Sequence, residues 1–153
     1  MLTIGLISDT HGLLRPEART ALAGVDHIIH AGDIGAPAIL SQLQALAPTH
    51  AVRGNNDVGP WAERIPEREL IELAGVGIYV LHDLHELELD PTAAGCAVVV
   101  SGHSHRPAIS TRDGVLYINP GSAGPRRLRL PITLARVRVQ GSAIEPELVE
   151  LDV

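Results

Sequence analysis

Phenylalanine is absent from the 153-residue chain, and one Trp and two Tyr are its only aromatic residues. The core must therefore be assembled from Leu, Ile, Val and Ala. Rows of exposed rings, the platforms on which single-stranded nucleic acid stacks, are excluded. Cys96 is the sole cysteine, so no intrachain disulfide can form and the redox compartment is left open. Cations are also scarce: 12 Lys and Arg face 18 Asp and Glu, and the formal net charge of −6 argues against a general nucleic-acid binder. No apolar run approaches the length of a membrane span. The N-terminal apolar stretch meets Asp9 too soon for a cleaved leader, so the expected address is cytoplasmic, with no membrane partner.

What remains is ordinary for a globular domain, with 45% apolar and 20% charged residues. The length fits one domain, residues 1–153, with a respectable core. Residues 2–7 read as a central strand, and 16–23 as a short helix with Pro near its start. A strand over 26–31 runs into Gly32-Asp33. Residues 38–46 place Ile39, Leu40, Leu43 and Leu46 at helical spacing and stop before Pro48. A strand over 49–52 then meets Gly54-Asn55-Asn56-Asp57. This β-α-β-α-β opening predicts a parallel sheet. Residues 68–73 and 77–81 read as a hairpin turning at Gly75, and 97–100 as a buried strand. A second hairpin turns at Asp113-Gly114, and the chain closes with strands over 132–139 and about 147–151. The reading is α/β, with two stacked sheets flanked by helices.

Metal-ligating residue types stand where these strands end: Asp9 and His11, Asp33, Asn55, His82, and His103 with His105. In Asp9-Thr10-His11 the i, i+2 spacing points an oxygen and a nitrogen ligand the same way. Sites in open α/β sheets form beyond the carboxyl ends of strands, so the clusters can converge. Two carboxylates, an amide oxygen and four imidazoles exceed one tetrahedral site and suit two cations sharing a bridge. Without a thiolate, the mixed N/O set suits Mn²⁺, Fe, Zn²⁺ or Ni²⁺.

These motifs, in this order, give the chain its resemblance to the calcineurin-like metallophosphoesterases, in particular the small single-domain phosphodiesterases of bacteria and archaea. Asp-x-His, Gly-Asp, Gly-Asn-x-Asp, a lone His and Gly-His-x-His all occur, followed by Asn119-Pro120-Gly121-Ser122 and Pro125-Arg126. The resemblance implies a four-layer α-β-β-α sandwich of two mixed sheets. It assigns Asp9, His11 and His105 to a first metal, Asn55, His82 and His103 to a second, and Asp33 to the bridge. It implies two divalent ions, Mn²⁺ foremost, ~3.5–4 Å apart, sharing a hydroxide that attacks phosphorus in line. A small phosphate ester is the implied substrate, and self-association into a homo-oligomer the implied protein contact.

The pattern departs at two places. Asn56 stands where larger relatives carry a His, and it cannot act as a general acid near pH 7. It is expected to touch substrate, with preference for leaving groups that are already good, and Asp57 is expected to orient its neighbours. His82 is followed by Asp83 rather than Gly, leaving His85 as an alternative ligand. Arg126 is a candidate to grip a substrate phosphate. Among the other histidines, His30 is expected to pack or support the site, and His27 and His50 to lie at the surface. The 119–122 turn is expected either to brace residues 102–105 or to contact phosphate. Trp61 is expected to wall the site or to mark a subunit contact. The leading function is a dinuclear-metal phosphodiesterase. The alternatives are a scaffold of the same fold, like the retromer subunit, and a phosphomonoesterase or dinucleoside-polyphosphate hydrolase.

Overall fold

Strand β1 (Leu2–Ile7) is buried along its last four residues, Ile4 to Ile7, as its largely apolar sequence requires of a central strand. In the computed structural model, which describes residues 1–153, it pairs in parallel with β2 (His27–His30) and antiparallel with β9 (Thr133–Gln140). Strands β3 (Thr49–Ala51) and β10 (Ala143–Glu150) complete a five-stranded sheet in the order β10-β9-β1-β2-β3. A second five-stranded sheet runs β4 (Arg68–Leu73), β5 (Val76–Leu81), β6 (Val98–Val100), β8 (Val115–Asn119), β7 (Ala108–Arg112). Both are mixed, the two-sheet architecture expected from the sequence.

Helices α1 (Pro16–Ala21), α2 (Pro37–Gln44) and α3 (Pro60–Glu63) all begin on proline. Proline lacks only an N–H that a first helical turn leaves unpaired anyway, and its fixed φ starts the helix without a side-chain cap. The single turn of α3 is too short to show periodicity, and the sequence reading missed it. Both hairpins turn through paired left-handed residues, Ala74-Gly75 (φ 51° and 78°) and Asp113-Gly114 (φ 52° and 77°). That twist matches antiparallel strands.

Three apolar layers hold the sandwich. Ile4, Leu6 and Ile29 meet Ile78, Val100 and Ile118 between the sheets. Ile7, Leu22, Ile28, Ile34, Leu43 and Leu134 lie between the first sheet and its helices. Each such side chain contributes roughly 1.5–3 kcal/mol on burial. Over the outer face of the second sheet, Leu84, Leu87, Leu89 and Ala94 pack on Tyr79, Leu81, Cys96 and Val99. This fourth layer is a 3₁₀ turn, Leu84–Glu86, and irregular chain rather than the expected α-helix. Leu84 and Leu87 are spaced for a single turn, but Leu89 breaks the repeat and Pro91 follows.

Three sequence expectations need correction. The last strand begins at Ala143, ahead of Pro146, because β10 is an edge strand where a missing N–H is tolerated. His27 and His50 are half-buried rather than at the surface, with ring centroids 5.8 Å apart, because their strands pair. Trp61 packs against the helical-layer core and does not line the site. No helix is long and apolar enough to cross a membrane.

Candidate metal centre

The parallel strands of both sheets run out at one end of the sandwich. There β1, β2 and β3 lead to Asp9, Asp33 and Asn55, and β5 and β6 lead to His82, His103 and His105. Backbone bonds lace the exits together. Asp9 N–H donates to the Gly32 carbonyl, His11 N–H to that of Asp33 and Gly102 N–H to that of His82, each at 2.9 Å. The lacing holds Asp9, His11, Asp33, His103 and His105 at φ of 55°, 47°, 55°, 70° and 63°. Non-glycine residues adopt this left-handed conformation at roughly 1–2 kcal/mol each. Such strain persists only where surrounding structure enforces it, and it gathers at functional sites.

Asp9 is fully buried, and its two oxygens have different surroundings. Oδ2 accepts the Ser8 hydroxyl at 2.6 Å and the His103 N–H at 3.1 Å. Oδ1 has no hydrogen-bond partner, although it lies 3.3 Å from His105 Nε2, 3.8 Å from His11 Nε2 and 3.9 Å from His82 Nε2. Asp33 Oδ2 stands between two imidazoles, 3.3 Å from His82 Nε2 and 3.7 Å from His11 Nε2. The imidazoles also face one another, His11 Nε2 to His105 Nε2 at 3.4 Å and His103 Nδ1 to His82 Nε2 at 3.3 Å. An orphaned buried carboxylate oxygen ringed by nitrogen lone pairs fits a cation, which gives every one of these atoms a partner. Two trios have ligand atoms within 4.8 Å of one another: Asp9, His11 and His105, and Asp9, Asp33 and His82. Asn55 and His103 line a cleft with His82.

The supporting residues are specific. His82 Nδ1 donates to the Ala31 carbonyl at 2.8 Å, which fixes the tautomer and turns Nε2 to the cluster. His30 is fully buried. Its Nδ1 accepts the Gly32 N–H at 3.1 Å, so Nε2 carries the proton and donates to Thr10 Oγ1 at 3.0 Å, which in turn donates to the Ile34 carbonyl. Burial pushes the His30 pKa down to about 4, so it stays neutral and acts as a brace. Buried Asp57 accepts N–H groups of Ile34, Gly35 and Gly54, clamping the Asp33 loop to the Asn55 loop. Asn56 donates its backbone N–H to Asp33 Oδ1 at 3.0 Å and its amide to Oδ2 at 2.9 Å. Its side chain therefore orients Asp33.

Asn119 donates to the Gly102 carbonyl and Ser104 Oγ, and Ser122 to the Asp9 carbonyl, so the 119–122 turn braces the ligand loops. Arg126 is not at the site. Its guanidinium donates to the carbonyls of Leu130 and Val153, because the chain turns back through left-handed Leu128. His85 is 95% exposed and bonds Asp83 at 3.1 Å, outside the cluster. Sequence reasoning missed Ser8, Thr10 and the close approach at two glycines. A Cβ on Gly54 would overlap Asp33, and one on Gly102 would overlap Ser8 Oγ and come within 2.6 Å of Asp9 Oδ2. The available signal was a glycine immediately before a metal-ligating residue type. Gly102→Ala should displace Asp9 and weaken Mn²⁺ binding roughly 10–100-fold, read by calorimetric titration.

Titration couples to binding with a definite sign. Burial alone lowers the His82 pKa, but its hydrogen bond to Asp33 and the charge of Asp9 more than offset this, and the net shift is upward. Asp9 and Asp33 are lowered: burial raises each, and contacts with His105 and Ser8, or with His82 and Asn56, prevail. A raised imidazole stabilises the metal-free fold fully below the ordinary value of about 6.5, and that contribution is lost as pH rises through the folded value. In chelator-treated protein the difference in melting temperature between wild type and His82→Gln should therefore shrink from pH 6 to pH 8, a comparison that cancels buried His30, whose lowered pKa acts in the opposite sense. A bound divalent cation should reverse the trend, because only the deprotonated imidazole has a lone pair to offer it. Melting curves at both pH values check this.

Residues 2–142 match the calcineurin-like phosphoesterase superfamily domain. A probable metallophosphoesterase of Methanothermobacter thermautotrophicus is 33% identical, covering 97% of this chain and 92% of its own. A phosphodiesterase of Methanocaldococcus jannaschii is 31% identical over 78% of this chain and 83% of its own. The crystal structure of Vps29 from Chaetomium thermophilum superposes with a TM-score of 0.80 at 18% identity, covering 99% of this chain and 98% of that one; at that identity the likeness is one of fold.

Proposed function

This chain belongs to the calcineurin-like phosphoesterase superfamily, and we propose that it hydrolyses phosphodiesters at a pair of divalent cations held between its two sheets. The observation that carries the reading is Asp9 Oδ1, a buried carboxylate oxygen without a partner among three imidazole Nε2 atoms at 3.3–3.9 Å. The donor set fits cations that accept both nitrogen and oxygen, Mn²⁺ foremost. Asp9, His11 and His105 would hold one ion and Asn55, His82 and His103 the other. Asp33 Oδ2, which faces imidazoles of both sets, would be shared. When bound, such ions neutralise phosphate oxygens and acidify water.

The chain's own residues hold this arrangement rather than move protons. Asn56 keeps Asp33 turned toward His11 and His82, and neutral His30 with Asp57 fixes the loops. Asp83, whose Oδ2 lies 3.9 Å from His103 Nε2, is raised by burial but held below the usual carboxylate range by its bonds to His85, so it stays ionised and offers no proton, and the Asn56 amide is engaged by Asp33. The leaving group therefore departs as its anion, which favours substituents of low basicity and accords with the phosphodiesterase among the relatives. Chelator-stripped protein should recover hydrolysis of bis-p-nitrophenyl phosphate on adding Mn²⁺, with p-nitrophenyl phosphate turned over more slowly. Folded protein inactive with Mn²⁺, Ni²⁺, Fe²⁺ and Zn²⁺ alike would overturn the reading.

A further inference from the structure

His103 borders two clefts of similar size, one that holds the Asn55, His82 and His103 side of the ligand cluster and one that lies beyond it, and the side-chain charges lining them are opposite in balance. One, of about 260 Å³, is lined by Arg53 and Arg68, each within 4.0 Å of a glutamate, Glu67 or Glu86. Asp83 adds a third carboxylate, so this cleft is net acidic. The other, of about 240 Å³, lies on the outer face of the second sheet and reaches from Gly102 and His103 to Arg106, Arg112 and Tyr117. Neither Arg106 nor Arg112 has an ion-pair partner, in a chain whose net charge is −6. The carboxylate here is again Asp83, whose Oδ1 accepts the N–H and faces the Nδ1 of His85.

Tyr117 gives this cleft a built floor. It pairs across β8 and β7 with Ser110, and the Arg112 guanidinium lies over its ring at 4.6 Å. The contact ties a long cation to the cleft floor, so part of its ordering is already made before binding. Pockets for whole drug-sized ligands run from about 300 Å³ upward, so this cleft suits one substituent of a substrate.

Resting on the phosphodiester reading above, we propose that the Arg106–Arg112–Tyr117 cleft selects diesters in which one substituent is planar and carries its own negative charge, such as a carboxylate or a further phosphate. The phosphorus sits at the ligand cluster and the charged substituent lies along β7 and β8, where it meets two guanidinium groups without ion-pair partners, whereas those of the other cleft are already paired with Glu67 and Glu86. Arg112 is the specificity-determining residue, and Arg106 adds charge at the mouth.

The test compares 4-nitrophenyl phenyl phosphate with its 4-carboxyphenyl counterpart on the Mn²⁺-loaded protein, following nitrophenolate. The wild type should favour the carboxylated diester in kcat/KM, and Arg112→Gln should cut that preference about tenfold, through KM. Raising salt should shrink the preference in the wild type. Arg112→Lys should restore part of it, since charge is kept and the flat stack is lost. A preference unchanged in Arg112→Gln, or absent from the wild type while both diesters turn over, overturns the inference alone. No turnover of either diester overturns the phosphodiester reading and the inference with it.

Discussion

Asp33→Asn should reduce Mn²⁺-dependent hydrolysis of an aryl phosphodiester by about 10³-fold or more while leaving the protein folded. The reasoning starts from the two oxygens. Oδ1 accepts the Asn56 N–H at 3.0 Å, a bond that an amide oxygen keeps, so the loop geometry survives. Oδ2 is the carboxylate oxygen between His82 Nε2 and His11 Nε2, and it accepts the Asn56 amide at 2.9 Å. An amide NH₂ there has no lone pair for a cation and meets the Asn56 NH₂ donor to donor. Losing a shared metal ligand removes several kcal/mol of charge stabilisation, and about 1.4 kcal/mol is a factor of ten in rate. Steady-state kinetics checks the loss, and a melting curve without metal checks the fold. Activity within tenfold of the wild type would remove Asp33 from the site.

Asp57→Ala should be the most destabilising substitution in the loops, by about 3–5 kcal/mol. Three N–H groups converge on this buried carboxylate. Gly35 is exposed and its N–H can turn to water, but Ile34 and Gly54 are buried and theirs cannot. For a chain of this length the melting temperature should fall by roughly 10 °C. Mn²⁺ affinity should fall in parallel, because the clamp joins the loops of Asp33 and Asn55. A change of less than about 1 kcal/mol in chemical denaturation would show that these donors find other partners.

The sequence and the structure agree where a local pattern has one physical outcome. The largely apolar stretch 2–7 forms the central strand it predicts, and Pro16 starts the helix expected there. Ligand types at strand ends in parallel sheets gather at one edge, as Asp9, Asp33 and His82 do. What was not legible depends on how the loops meet. The left-handed geometry of Asp9, His11, Asp33, His103 and His105 leaves no mark, since no glycine stands at those positions to signal it. The three-donor role of Asp57 belongs to residues up to 23 positions away. Arg126 follows a motif turn in sequence, yet left-handed Leu128 sends its guanidinium toward the carbonyls of Leu130 and Val153. His27 and His50 were misplaced because their contact exists only once β2 and β3 are paired.

The central claim is that two cations, not one, fit among these side chains. Calorimetric titration of Mn²⁺ into chelator-stripped protein tests it most directly. The geometry around Asp9 Oδ1 and Asp33 Oδ2 predicts two ions per chain, with one site lost in His11→Ala and the other in His82→Ala. A single site abolished equally by either substitution, or no binding by folded protein, would contradict the account.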